Sequence, residues 1–210
     1  MKTIAIFGGT FDPIHNGHLQ SALELKQQLK LDQMRLLPCH RPPHRDVPGC
    51  TGSQRLEMVQ LAITGTDLIV DDREMLRPGL SYSVDTLEQY RREFGDETSL
   101  CWVMGTDAFA HFDRWHRWQE FLSLAHIIVI SRPDAQLPSD GPIAELVSQH
   151  QFTEESDLHV RPNGSILFVT LQPYPISATG IRAAIASEEE VEQFLPAAVL
   201  NYIHLHQLYQ

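Results

Sequence analysis

Apolar positions along this 210-residue chain alternate between short β-branched runs and longer stretches with helical spacing. The first run, Ile4-Ala5-Ile6-Phe7, has the length of a buried strand and stops on Gly8-Gly9, which predicts a tight turn with backbone N–H groups close to a ligand. Asp12-Pro13 predicts a second turn, after which Ile14, Leu19, Ala22, Leu23, Leu25 and Leu29 recur at roughly helical spacing as far as Lys30. Met34-Arg35-Leu36-Leu37 reads as a second strand ending at Pro38, so the chain opens as a βαβ unit.

The alternation continues. Ser53 is placed to cap a helix carrying Leu56, Val59, Leu61 and Ile63 as far as Gly65, and residues 67–70 read as a third strand. Ser81-Tyr82-Ser83 opens a helix through Val84, Leu87, Tyr90 and Phe94 that closes on Gly95, with Ser81 or Ser83 available as a plain N-cap. Further strands are expected at 100–104, 126–130 and 166–170, a loop at 134–142, and a helical stretch from there to about His150. Pro196 to Leu208 reads as a terminal amphipathic helix with Val199, Leu200, Ile203 and Leu208 inward and His204 and His206 at the surface. Strands alternating with helices predict an α/β fold. The expectation is a doubly wound, mostly parallel sheet with helices on both faces, in a single domain over 1–210 with a C-terminal helical segment from about 176.

Composition narrows the function classes. With 42% hydrophobic residues the chain buries a full core, and a formal charge of −11 argues against a general binder of nucleic acid or anionic membrane. Any anionic ligand must therefore be held by local charge. Cys39, Cys50 and Cys101 are odd in number and lack a C-x-x-C pairing, which suggests neither a disulfide framework nor a cysteine zinc site. No apolar leader or run of about 18 apolar residues is visible, so a soluble cytoplasmic protein is expected, as a monomer or small homo-oligomer.

Four stretches carry candidate chemistry. His15 and His18 stand three apart at a predicted helix start, on one face and beside unpaired N–H groups, where both imidazoles would meet an anion held by Gly9, Thr10 and Phe11. The loop 38–45 packs His40, Arg41, His44 and Arg45 around two prolines and reads as an anion clamp, or as a solvated surface loop. Asp107, at the end of the strand over 100–104, is either a ribose or metal contact or a helix N-cap; Trp115 and Trp118 have packing as their default role. Ser177, Thr179 and Arg182 fall on the first turns of another helix, a second anion site of N–H donors, hydroxyls and a forked cation, although Ser177 also suits an ordinary N-cap. The dinucleotide fingerprint G-x-G-x-x-G and the P-loop G-x-x-x-x-G-K-[ST] are both absent.

The run Gly9-X-Phe11-Asp12-Pro13-X-His15-X-Gly17-His18 resembles the signature of the nucleotidylyltransferase superfamily, Rossmann-like enzymes that move AMP or CMP from a nucleoside triphosphate onto a phosphate. Ile176-Ser177-Ala178-Thr179-Gly180-Ile181-Arg182 resembles its second signature, which grips the triphosphate. His15, Pro42-Pro43-His44, Ser81-Tyr82-Ser83, Gly105-X-Asp107 and Phe112-X-X-Trp115 resemble the bacterial nicotinate mononucleotide adenylyltransferases in particular. That likeness implies ATP and nicotinate mononucleotide as substrates, Mg²⁺ accompanying the ATP and no metal ligated directly by the protein. His15, His18 and Arg182 would be catalytic, and Gly9, Thr10, Phe11, Ser177, Thr179 and Arg132 would contact ATP. Ser83, Asp107, Trp115, His116, Arg41, His44 and Arg45 would contact the acceptor, with Trp115 stacking on the pyridine and the N–H groups of Ser83 and His116 meeting its carboxylate. His116 stands where the family often has Tyr, and Arg41 and Arg45 where it often has Lys. The alternatives are an adenylyltransferase for nicotinamide mononucleotide or phosphopantetheine, a non-catalytic nucleotide-binding module, and a metal hydrolase recruiting His15, His18, His40 and His44.

Overall fold

The computed structural model describes residues 1–41, 49–131, 137–152 and 154–210. In chain order these form β1 (Thr3–Gly9), α1 (Asn16–Gln28), β2 (Gln33–Pro38), α2 (Gly52–Ala62), β3 (Ile69–Val70), α3 (Arg73–Leu76), α4 (Ser83–Phe94), β4 (Ser99–Gly105), α5 (Thr106–Phe109) and α6 (Phe121–Leu124). The chain continues through β5 (His126–Ser131), α7 (Gly141–His150), β6 (Gln151–Phe152), β7 (Ile166–Thr170), α8 (Ala178–Ala186) and α9 (Ala197–Leu205). The strand order is β3-β2-β1-β4-β5-β7-β6, and every pairing whose register is resolved is parallel. The chain winds outward from β1 and then returns to β4 on its other side, with Ile4 beside Leu100 and Phe7 beside Val103. A reversal of this kind is the switch point at which doubly wound sheets bind ligands, beyond the carboxyl ends of the strands.

The residues fall into two compact units, each assembled from separate stretches: 1–8, 25–34 and 82–172 in the first, and 9–24, 35–81 and 173–210 in the second. In the first unit Ile4, Leu100, Val103, Ile127, Ile128 and Ile166 are fully buried, the near-continuous apolar strands expected of a parallel sheet covered on both faces. Arg91 fastens this unit by donating to the carbonyls of Leu124 (2.7 Å), Gly95 (3.1 Å), Thr98 (2.6 Å) and Pro162 (2.8 Å). In the second unit Val199, Leu200 and Ile203 of α9 are buried, as is Leu208 beyond it, while His204 and His206 are exposed, matching the amphipathic pattern.

Several local expectations are corrected. Gly8 and Gly9 both lie inside β1 and neither has positive φ; the left-handed turn is made by Phe11, at φ 50°. Glycine is needed at position 9 for space, because a Cβ there would stand 2.9 Å from the Phe11 ring. Thr51, not Ser53, caps α2 through a capping box, its Oγ1 accepting from the Gln54 N–H while Gln54 Oε1 accepts from the Thr51 N–H. Neither Ser81 nor Ser83 caps α4. Its N-cap residue is Tyr82, without a side-chain bond, while Ser81 Oγ accepts from the N–H groups of His40 and Arg41.

Candidate nucleotide-binding site

The segment after β1 places both histidines. The His15 carbonyl accepts from the Leu19 N–H at 3.1 Å, the first helical bond of α1, so His15 sits at the helix mouth and His18 on its first turn. Their rings stack, with centroids 3.7 Å apart and planes 25° off parallel, and Phe11 meets His18 edge-on at 5.1 Å. Each imidazole thus turns one face to the other, which fixes the two rings as a pair. Gly17 leaves the His15 ring its room: a Cβ there would come within 3.1 Å of Nδ1 and Cε1 of His15, tighter than an ordinary contact.

The second motif meets the first within the same unit. Arg182, one turn into α8, donates from Nη1 to the Asp12 carbonyl at 2.7 Å and from Nη2 to Thr179 Oγ1 at 3.4 Å. Ser177 is the N-cap of α8, its Oγ accepting from the Gly180 N–H at 3.1 Å. The plain-cap reading of Ser177 therefore holds for its acceptor lone pair, and the hydroxyl hydrogen is left to donate. Of the expected neighbours, Gly9 ends β1 and Thr10 and Phe11 follow it directly, and Arg41 is exposed, its carbonyl accepting from the Ser81 N–H at 3.0 Å.

Another cluster belongs to the first unit. Trp115 is half-buried, held edge-on by Phe112 at 5.5 Å and Phe121 at 6.2 Å, so one part of the indole is fixed by the core and the remainder is accessible. The His116 ring lies 4.4 Å from that of Tyr82, which brings the first residue of α4, Ser83, near the Trp115-His116 corner. Asp107 lies in the first turn of α5 and is not its N-cap; Gly105 occupies that position. His44, Arg45 and Arg132 lie outside the described residues.

The sequence matches the cytidylyltransferase-like family over residues 6–184. A Cellvibrio japonicus protein named "probable nicotinate-nucleotide adenylyltransferase" is 50% identical over 209 residues, spanning 99% of both chains. One of the same name from Pseudomonas aeruginosa PAO1 is 43% identical over 210 residues, spanning 100% of this chain and 98% of its own. The chain belongs to the nicotinate-nucleotide adenylyltransferases. A solved structure of Plasmodium falciparum nicotinic acid mononucleotide adenylyltransferase complexed with NaAD shares the fold, with a TM-score of 0.74 at 16% identity, over 100% of this chain and 98% of that one. The same parasite enzyme complexed with APC gives a TM-score of 0.71 at 17% identity over the same shares.

Set against that family, the buried polar groups around the phosphate motifs are what the sequence reading missed. Arg55, only 1% exposed, donates from Nη1 to the carbonyls of Thr10 and Cys39, both at 2.6 Å, and from Nη2 to that of His40 at 3.1 Å. Asp12, 6% exposed, accepts from the Gly49 N–H at 2.9 Å, the Cys50 thiol at 2.8 Å and the Tyr209 hydroxyl at 2.7 Å. Burial pushes the Asp12 carboxyl up, but these three donors and the Arg182 guanidinium together hold it below the usual carboxylate value. Burial pushes the Cys50 thiol up to about 12, so it remains a neutral donor. No periodicity marks such residues, because their partners are remote in sequence. No helix among the described residues is long and apolar enough to cross a membrane.

Proposed function

We propose that this chain transfers AMP from ATP to nicotinate mononucleotide, giving deamido-NAD and pyrophosphate. The observation that carries the reading is the bond from Arg182 to the Asp12 carbonyl, which joins the two phosphate motifs in one unit. The helix-start histidines, the α8 mouth and a guanidinium make a donor set for a chain of phosphates, and its chemistry suits anions rather than cations.

In the reaction an oxygen of the acceptor phosphate attacks the α-phosphorus of ATP, one O–P bond forms, and the bond to the β-phosphate oxygen breaks. That acceptor is already anionic at neutral pH, with a second pKa of about 6, so no general base is required. Catalysis then consists of alignment and charge stabilisation. His15 and His18 hold the α-phosphate oxygens as charge develops, while Arg182 and Thr179, with the Ser177 hydroxyl hydrogen, hold the departing pyrophosphate. Mg²⁺ is expected to arrive on the triphosphate. When bound it neutralises charge on the phosphate oxygens. Trp115 offers a fixed face to the pyridine, and Ser83 and His116 offer backbone donors to its carboxylate.

The test is pyrophosphate release from ATP with the acid and amide mononucleotides side by side. A carboxylate accepts from N–H donors at both oxygens, whereas an amide must turn its NH₂ toward one of them, leaving buried groups unpaired at about 1–3 kcal/mol each. A preference for the acid on the order of 100-fold in kcat/KM is expected. Equal values would move the assignment to a dual-specificity or nicotinamide-type enzyme.

A further inference from the structure

The geometry points to Tyr209 as a positioning residue of the nucleotide site, acting through the carboxylate of Asp12. Tyr209 lies 197 positions from Asp12 in sequence and belongs to neither phosphate motif, yet its hydroxyl donates to Asp12 Oδ1 at 2.7 Å. Cys50 Sγ lies 2.8 Å from the same oxygen and 2.8 Å from the Tyr209 hydroxyl, and the Gly49 N–H holds Oδ2 at 2.9 Å. The carboxylate is thereby pinned from two remote segments. What it pins is the residue whose main-chain carbonyl receives Arg182 and whose chain runs directly on to His15 and His18.

Two further observations bear on the role of the hydroxyl. Tyr209 has φ +66°, a left-handed conformation that an aromatic residue adopts only when its surroundings impose it. Among the described residues the charged group facing Asp12 is Arg182, whose Nη1 stands 3.9 Å from Oδ2, and Cys50 and Tyr209 are both held protonated by burial. Without the hydroxyl, Asp12 Oδ1 keeps one donor of two, and the carboxylate is held less firmly against the pull of Arg182. A paired Arg182 would hold pyrophosphate less well. The proposal rests on the adenylyl-transfer reading only for its kinetic arm; its binding arm needs ATP alone.

The experiment uses the full chain and Tyr209→Phe, with Cys50→Ala as a second variant that removes the other Oδ1 donor. Kd for ATP with Mg²⁺ is measured by calorimetry, together with Tm, kcat and KM for each substrate. Loss of a bond of this kind is expected to raise the Kd and KM for ATP about 10-fold in Tyr209→Phe and less in Cys50→Ala, with KM for nicotinate mononucleotide unchanged. If Tyr209→Phe does not fold, the same selective weakening of ATP in Cys50→Ala supports the proposal and its absence overturns it. An unchanged Kd for ATP in folded Tyr209→Phe overturns it, as does a fall in kcat that tracks Tm with both KM values unmoved, the mark of a merely structural residue. Wild-type protein that binds ATP but releases no pyrophosphate with nicotinate mononucleotide would overturn the adenylyl-transfer reading and leave the binding arm standing.

Discussion

Replacing Arg55 by Met separates orientation from bulk in the second unit. Met keeps most of the side-chain length and carries no donor, so the carbonyls of Thr10, Cys39 and His40 all lose their partner. Each net bond contributes about 1 kcal/mol, and more where the donor is charged, which puts the gross loss near 3 kcal/mol. Against this stands the desolvation of a guanidinium that is 1% exposed, which Met does not suffer and which can exceed what such bonds return. The carbonyls decide the balance. They belong to the turn after β1 and to the two residues just past β2, and losing all three partners at once is expected to give a net destabilisation of about 2–3 kcal/mol for Arg55→Met. About half of that is expected for Arg55→Lys, whose single ammonium reaches fewer of the three. Urea unfolding should be followed by circular dichroism, because Trp102, Trp115 and Trp118 all lie in the first unit and would report the wrong one. Loosening Thr10 should also lower kcat in the folded fraction by about 10-fold or more. Arg55→Met with a stability within about 0.5 kcal/mol of wild type would refute the reasoning, since a surface-like value cannot come from three broken bonds to a guanidinium this enclosed.

Three other outcomes are expected. His18→Ala should lower kcat by on the order of 100-fold with the fold retained, and near-normal turnover would remove the imidazole from the transition state. Trp115→Ala should weaken the acid and amide mononucleotides alike, through lost stacking, and an altered ratio between them would show that the indole selects rather than supports. His126, fully buried, donates from Nε2 to the Arg161 carbonyl at 2.9 Å and accepts at Nδ1 from the Ser165 N–H at 3.1 Å, and burial lowers its pKa. The unfolded chain therefore takes up that proton first, so stability is full above pH about 6.5 and falls below it, by up to about 1.4 kcal/mol at pH 5.5. Urea midpoints of wild type and His126→Gln at pH 7.5 and 5.5 check this, and an identical pH loss in both would sink it.

What was legible in the sequence is what repeats locally. The apolar runs at 4–7, 100–104, 126–130 and 166–170 all became strands, and helical spacing placed α1, α2, α4 and α9 within a few residues. The two-residue β6 and the four-residue α3 escaped because neither is long enough to show a period. Cap assignment failed at Ser53 and Ser81 because several hydroxyls and amides crowd each helix start and only geometry selects among them. The two phosphate motifs were legible because each is contiguous, and their meeting through Arg182 and Asp12 was not, because it joins positions 170 apart.

An acidic chain that is to hold a triphosphate must orient its cations without cancelling them. Three described arginines elsewhere bond acids: Arg35 and Arg73 both bond Asp71, and Arg117 bonds Glu88 and Glu120. Around the phosphate motifs the pattern differs. Arg55 and Arg182 take main-chain carbonyls, Thr10, Cys39 and His40 for one and Asp12 for the other, and a carbonyl fixes a guanidinium while leaving its charge intact. Arg91 is held in the same way in the first unit, at the approach to β4, so carbonyl fastening by itself marks packing as readily as function. The difference lies in the nearest acid. Asp12 stands beside Arg182, yet its oxygens are occupied by Gly49, Cys50 and Tyr209, and the nearest ion-pair distance remains 3.9 Å. A carboxylate that stayed unengaged would close that gap and compete with pyrophosphate for Arg182. On the proposed assignment of Arg182 to pyrophosphate, keeping Asp12 saturated from within lets an acidic residue stand beside an anion, and the same bonds tie down the turn from which the histidines project.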